Sequence, residues 1–225
     1  MNPDEKGVIK TIPHFSFIIP NDIKFVSLPH KSKQMQIIEI KTDTVNLTEE
    51  QFFLLCVRNK ELRIERDKNQ NIIIMAPTES ETGNYNFKIA VVFGNWCEKN
   101  NSGYGFDSNT GFTLPNKAMR APDLSWIEKE KWENIPREDR KRFAHICPDF
   151  VIELLSTSDS LNETMNKMEE WIENGCLLGW LINPETRTTH IYKPGMNPTE
   201  IPFRETLSGE NVLPRFELKL DKIIL

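Results

Sequence analysis

A mixed α/β protein, with a central mixed β-sheet flanked by helices, is predicted by two features of this 225-residue sequence. Short β-prone runs such as LRIER, NIIIMAP, FVIELL and LLGWLIN alternate with stretches whose apolar residues recur at helical spacing. Two such stretches stand out. Tyr85, Ile89, Val92, Phe93 and Trp96 share one side of a helix, and a second helix fits from about Ser160 to Asn174.

Taken in order, residues 1–45 mix prolines, lysines and runs such as FSFII, and are expected to form an N-terminal extension that adds a strand or wraps the core. Residues 46–225 then form one domain. Thr48 and Gln51 stand at capping-box spacing and open a short helix over NLTEEQFFLLCVRN. The strands LRIER and NIIIMAP follow, then the helix around residues 81–99. GYGFDSNTGFTL reads as a hairpin around Ser-Asn-Thr-Gly, and APDLSWI as a strand beginning just after a proline. A charged, helical stretch EKEKWENIPREDRKRF leads to FVIELL, and Gly175 closes the next helix at its C′ position. LLGWLIN and TTHIYKP flank PETR as a hairpin, and ENVLPRFELKL supplies a closing strand.

Composition excludes several classes. The longest apolar runs, IIIMA and IAVVF, are far too short to span a membrane. MNPDEKGVIK carries both signs of charge and no apolar core, so it is no secretory signal and a cytoplasmic protein is expected. Cys56, Cys97, Cys147 and Cys176 form no CxxC pair, which argues against a zinc ribbon or a disulfide framework. The net charge of −5 gives no general basic surface for nucleic acid.

Glu153 is the anomaly. It stands in the middle of the otherwise apolar run Phe150–Leu155, where a carboxylate must be paired, protonated, hydrogen-bonded or bound to a metal. Asp123 begins the preceding strand, so neighbouring strands would bring the two acids together. Their repulsion is relieved by a divalent cation, and two oxygen ligands with open water positions suit Mg²⁺.

GFDSNTGFTLP, APDLSWI, PDFVIELLSTSDSL, KMEEWIENGCLLGWLINPETR and LSGENVLP resemble, in order and spacing over roughly residues 45–220, the Uma-type putative restriction endonuclease family of the PD-(D/E)XK nuclease superfamily. The resemblance implies a restriction-endonuclease-like core of helix, three-stranded antiparallel meander, helix and fourth strand. It implies a metal-dependent endonuclease acting on DNA, with Mg²⁺ or Mn²⁺ held by Asp123 and Glu153, a homodimer, and no small-molecule cofactor. The usual lysine two residues after the glutamate is Leu155 here. The family typically carries a lysine 14 residues after the glutamate, which is Lys167, so Asp123, Glu153 and Lys167 are the expected catalytic set. Glu65 and Glu81 are further candidate metal ligands, Glu65 because the family often has a glutamate in its first strands.

Plainer readings stand beside these. Asp123 reads as a strand-start aspartate bonding local backbone, and Glu153 as a buried acid paired with Arg120 or Arg142. Lys167 reads as a surface partner of Glu163, and Glu65, Glu79 and Glu81 as solvated acids. Ser156 and Ser158 read as strand-end or cap residues, and His145 beside Cys147 as incidental. Two other functions are compatible with the residues: a non-catalytic binding module that keeps the fold, and a nuclease for branched DNA or RNA.

Overall fold

The computed structural model describes residues 38–40 and 47–224. The described part opens with β1 (Ile38–Ile40) and α1 (Glu49–Arg58). The Thr48 side chain accepts the Gln51 N–H, and the Gln51 side chain accepts the Thr48 N–H, which is the reciprocal cap that this spacing predicts. β2 (Arg63–Arg66), β3 (Ile72–Met75) and the long α2 (Ser80–Asn100) follow. Tyr85, Ile89, Phe93 and Trp96 of α2 are buried, whereas Val92 lies at the margin of that stripe and is exposed.

β4 (Gly103–Asp107), β5 (Phe112–Thr113), β6 (Met119–Arg120), β7 (Leu124–Glu128) and the short α3 (Lys129–Glu133) lead to β8 (Phe150–Leu154). Then come α4 (Leu161–Glu173), β9 (Leu178–Asn183), β10 (Thr188–Tyr192), β11 (Thr199–Pro202), β12 (Leu207–Ser208) and β13 (Glu217–Leu218). One sheet has the order β11-β10-β9-β8-β7-β4, and a second has the order β1-β3-β2-β6-β5; β12 and β13 pair separately. β7 pairs antiparallel with β4 on one side and β8 on the other, while β8 and β9 are parallel, joined by α4 as the crossover.

Several expectations are corrected. The segment 103–114 is not a hairpin: β4 joins β7 in the six-stranded sheet, whereas β5 joins β6 in the five-stranded sheet. The turn at Asp107–Thr110 forms, but it hands the chain from one sheet to the other. The charged stretch after β7 is helical only in α3 and one 3₁₀ turn at Asp139–Lys141, because Pro136 interrupts it. The closing strand shrinks to β13, and β6, β11 and β12 carried no sequence signal strong enough to be read. The extension expected over residues 1–45 lies outside the described residues except for β1. Among the described residues no helix is long and apolar enough to cross a membrane.

Both faces of the six-stranded sheet are covered, which is why β8 is apolar on both faces apart from Glu153. Phe150, Ile152 and Leu154 pack with Tyr85, Ile89, Phe93 and Trp96 of α2 and with C-terminal residues such as Phe216 and Leu220. Val151 and Leu155 pack on the opposite side with Met168 and Trp171 of α4. With a period of two along the strand, Glu153 is placed on the α4 side.

Gly103 shows how closely β4 meets β7: a Cβ there would lie 2.3 Å from the Ile127 carbonyl oxygen and 2.4 Å from Trp126 Cε2. Gly103→Ala is therefore expected to lower stability by about 1–3 kcal/mol in urea unfolding. Gly94→Ala, with nothing within 4 Å of its new methyl, should raise stability by up to about 1 kcal/mol.

Candidate active site

The site forms where the two larger sheets meet. β6 ends in one sheet at Arg120 and β7 begins in the other at Leu124, so Ala121, Pro122 and Asp123 make the crossing. Ala121 is clamped on both sides. Its N–H donates to Glu65 Oε1 at 3.1 Å, and its carbonyl accepts from Arg63 Nη2 at 3.1 Å and Lys167 Nζ at 3.3 Å. Asp123 Oδ2 then accepts the Leu154 backbone N–H at 2.8 Å, which ties it to β8 beside Glu153.

Glu153 is 5% exposed. Lys167 Nζ lies 2.9 Å from its Oε1, and Trp171 Nε1 donates to the same oxygen at 3.0 Å. Lys167 and Trp171 stand four residues apart on α4, so one helix face supplies both contacts. Glu153 Oε2 is left without a hydrogen bond among the described residues.

The pairing continues behind this contact. Lys167 Nζ also donates to Glu65 Oε1 at 3.0 Å, and Arg120 Nη1 donates to Glu65 Oε2 at 3.1 Å. Arg120 Nε donates to Glu170 Oε2 at 2.6 Å, and Asn116 Nδ2 donates to Glu170 Oε1 at 2.9 Å. Arg63 Nη2 lies 3.5 Å from Asp123 Oδ1. The connected set holds four carboxylates (Glu65, Asp123, Glu153, Glu170) and three cations (Arg63, Arg120, Lys167), a surplus of one negative charge.

That surplus is expressed at Glu153. Burial pushes its carboxyl up to about 7; Lys167 opposes the shift, and Asp123 and Glu65 add to it. Glu65 moves the other way: burial alone would raise it, but Lys167 and Arg120 hold it at about 2. Burial works against the Lys167 ammonium, yet Glu153 and Glu65 keep its pKa above the ordinary lysine value.

Asp123, Glu153, Lys167 and Glu65 thus come together, although both Glu65 oxygens are committed to partners. Glu81 does not join them: it is exposed in the first turn of α2 and accepts from the Tyr85 hydroxyl at 2.7 Å. Glu79 accepts from Thr157 and Thr82. Lys167 turns to the cluster and makes no pair with Glu163, Arg120 takes Glu65 and Glu170, and Arg142 pairs with Glu50. His145 pairs with Glu49 at the surface, apart from the buried Cys147. Sequence reasoning missed Arg63, Glu170 and the Trp171 N–H. Only Arg63 left a usable signal, since it precedes Glu65 by two residues and alternation puts both on one strand face.

The cluster opens on a cavity of about 580 Å³ lined by Arg63, Asp123, Glu153 and Lys167 among others. Among the described residues no three His, Cys, Asp or Glu side chains converge as a complete metal cage. Two carboxylates, a surplus negative charge and a free Glu153 Oε2 nevertheless fit a hard divalent cation that keeps water or substrate in its other positions.

Comparison with known proteins gives the chain's family and fold. The family model described as Uma2, putative restriction endonuclease, matches residues 49–221. A solved structure, described as a putative nuclease belonging to DUF820 from Anabaena variabilis ATCC 29413, superposes with a TM-score of 0.65 at 20% identity, covering 79% of this chain and 97% of that one. At that identity the likeness establishes the fold. No curated protein matches the chain.

The depressed Glu65 pKa sets an acid dependence. An acid held below its unfolded value contributes stability above about pH 4.3 and loses it as pH falls from there toward 2. The expected loss is on the order of 3 kcal/mol. Urea unfolding across this range should show that slope in the wild type and a clearly flatter one in Glu65→Gln.

Proposed function

Because the chain belongs to the Uma2 family of putative restriction endonucleases, we propose that it is a metal-dependent endonuclease hydrolysing DNA phosphodiester bonds at Asp123, Glu153 and Lys167. The observation that carries this is the buried pair Glu153–Lys167 facing an open cavity beside Asp123, with one negative charge unbalanced.

In this reading Asp123 and Glu153 hold a Mg²⁺ or Mn²⁺ ion, which when bound supplies Lewis-acid activation of water and neutralises charge at the phosphate. Lys167 takes the place that Leu155 leaves vacant. Its ammonium, already 2.9 Å from Glu153, orients the attacking water and offsets negative charge that builds on the phosphate oxygens as the leaving oxygen departs. Glu65 acts behind it, since a carboxylate with both oxygens engaged is placed to hold Lys167 and Ala121 in position. Trp171 orients Glu153 and, from the apolar α4 face, helps to keep water from its Oε1. Cutting both strands of a duplex calls for two such sites, so a homodimer goes with this reading.

A non-catalytic binding module is the second reading. It is favoured by Leu155 and by the acids Asp159, Glu163, Glu169 and Glu173 on the α4 side of the cavity, which repel a polyanion.

Supercoiled plasmid, branched duplex and RNA substrates separate the possibilities. Metal-dependent nicking is expected from the wild type, with Asp123→Asn and Glu153→Gln inactive and Lys167→Ala slower by about 10²–10³-fold. Mg²⁺ or Mn²⁺ should also raise the melting temperature of the wild type and not of Asp123→Asn. Absence of cleavage on all three substrates, together with no metal-induced rise, would leave the binding module as the better account.

A further inference from the structure

We propose that Arg63 is a phosphate-binding residue of this cavity, taking an oxygen of a nucleic-acid backbone that runs along the β2–β3 side; the nature of the ligand rests on the nuclease reading above.

The three cations of the cluster are not alike. Lys167 is shared between Glu65, Glu153 and the Ala121 carbonyl, and Arg120 is held between Glu65 and Glu170. Arg63 is engaged far less. Its side chain is 34% exposed, and Nη2 makes one short hydrogen bond, to Ala121 O. The 3.5 Å separation from Asp123 Oδ1 is too long for a strong hydrogen bond. Nε is buried and has no acceptor among the described residues. A guanidinium carries five N–H donors, and a buried N–H left without an acceptor is costly. Most of the Arg63 donor capacity therefore stands unused at the wall of the cavity, beside Asp123.

The planar fork of a guanidinium matches tetrahedral oxyanions such as phosphate. Charge on the walls decides which way a polyanion lies. Asp159, Glu163, Glu169 and Glu173 line the α4 side, whereas the other carries Arg63 and, in the turn between β2 and β3, Lys68 and a single acid, Asp67, whose two oxygens accept from Asn71. A phosphodiester chain is repelled from the first wall and drawn to the second, which places its nearest phosphate at Arg63. Pairing with Asp123 explains why Arg63 stays near the site, but it gives Nε no acceptor.

The test follows the Arg63 Nε–H signal by ¹⁵N NMR, identified by its absence from Arg63→Lys, while the thymidine dinucleotide dTpdT is titrated in the presence of Ca²⁺. A saturable displacement of that signal is expected. Arg63→Gln and Arg63→Lys should bind the dinucleotide about tenfold more weakly, the value of one lost charge-assisted hydrogen bond. Arg63→Lys keeps the positive charge beside Asp123, so weaker binding by a variant that melts like the wild type separates loss of the fork from loss of the fold. An unmoved signal, or equal affinity in wild type and variants, would overturn the proposal. Plasmid cleavage by the wild type, scored in parallel, judges the nuclease reading separately: cleavage with an unmoved Arg63 signal removes only the Arg63 assignment, and movement without cleavage removes only the nuclease.

Discussion

Burial of the Glu153 carboxylate is the demand that the surrounding structure answers. Removing a charged carboxylate from water costs several kcal/mol even after relaxation, and a single buried counter-ion seldom repays this, because the partner is desolvated too. Lys167 is such a partner, only 15% exposed, and it brings its own requirement. Glu65 meets that requirement, Arg120 meets the charge of Glu65, Glu170 meets Arg120, and Asn116 closes the line. Each neutralisation recruits another element. The line runs from β8 through α4 to β2 and β6, so it fastens two sheets and a helix around one acid.

The same line sets the geometry of the opening. Ala121 donates to Glu65, accepts from Lys167 and Arg63, and hands the chain on to Asp123, whose own carboxylate is fixed by the Leu154 N–H. Asp123 is thereby fixed by a backbone N–H and Glu153 by buried partners, contacts that salt screens less than exposed ion pairs. A site built in this way is organised before any ligand arrives.

Much of this was legible in the sequence because it is local. The apolar run Phe150–Leu155, the Thr48–Gln51 cap, the α2 stripe and the Ser160–Gly175 helix limits each follow from neighbours within a few residues. What was misread is non-local. Residues 103–114 look like a hairpin because turn chemistry at Asp107–Thr110 is correct, yet the partners of each arm, β7 and β6, lie further along the chain. Glu65 and Lys167 are 102 residues apart, and the Arg120 side chain could have met any of several acids. Spacing made Asp123 and Glu153 neighbours, but it could not say that Arg120 belongs to Glu65 and Glu170, which leaves Glu153 to Lys167.

The position proposed for the lysine is consistent with the same physics. Leu155 lies on the α4 side of β8 with Val151 and packs in the core there. A lysine at that position would have to bury its stem in that packing, whereas Lys167 reaches the carboxylate from α4. In the proposed nuclease reading the ammonium would serve from either position, provided that it reaches the carboxylate, as Lys167 does at 2.9 Å. The same comparison bears on whether the cluster is merely structural. Buried ion networks are often matched or bettered in stability by apolar residues of similar volume. In a strand whose other residues are all apolar and buried, a leucine in place of Glu153 would remove the surplus charge, the raised carboxyl pKa and the need for the whole line behind it. A cluster kept for stability alone would be balanced and sealed. This one carries an unbalanced carboxylate and opens on a cavity of about 580 Å³, and on that arrangement the proposed cation site rests.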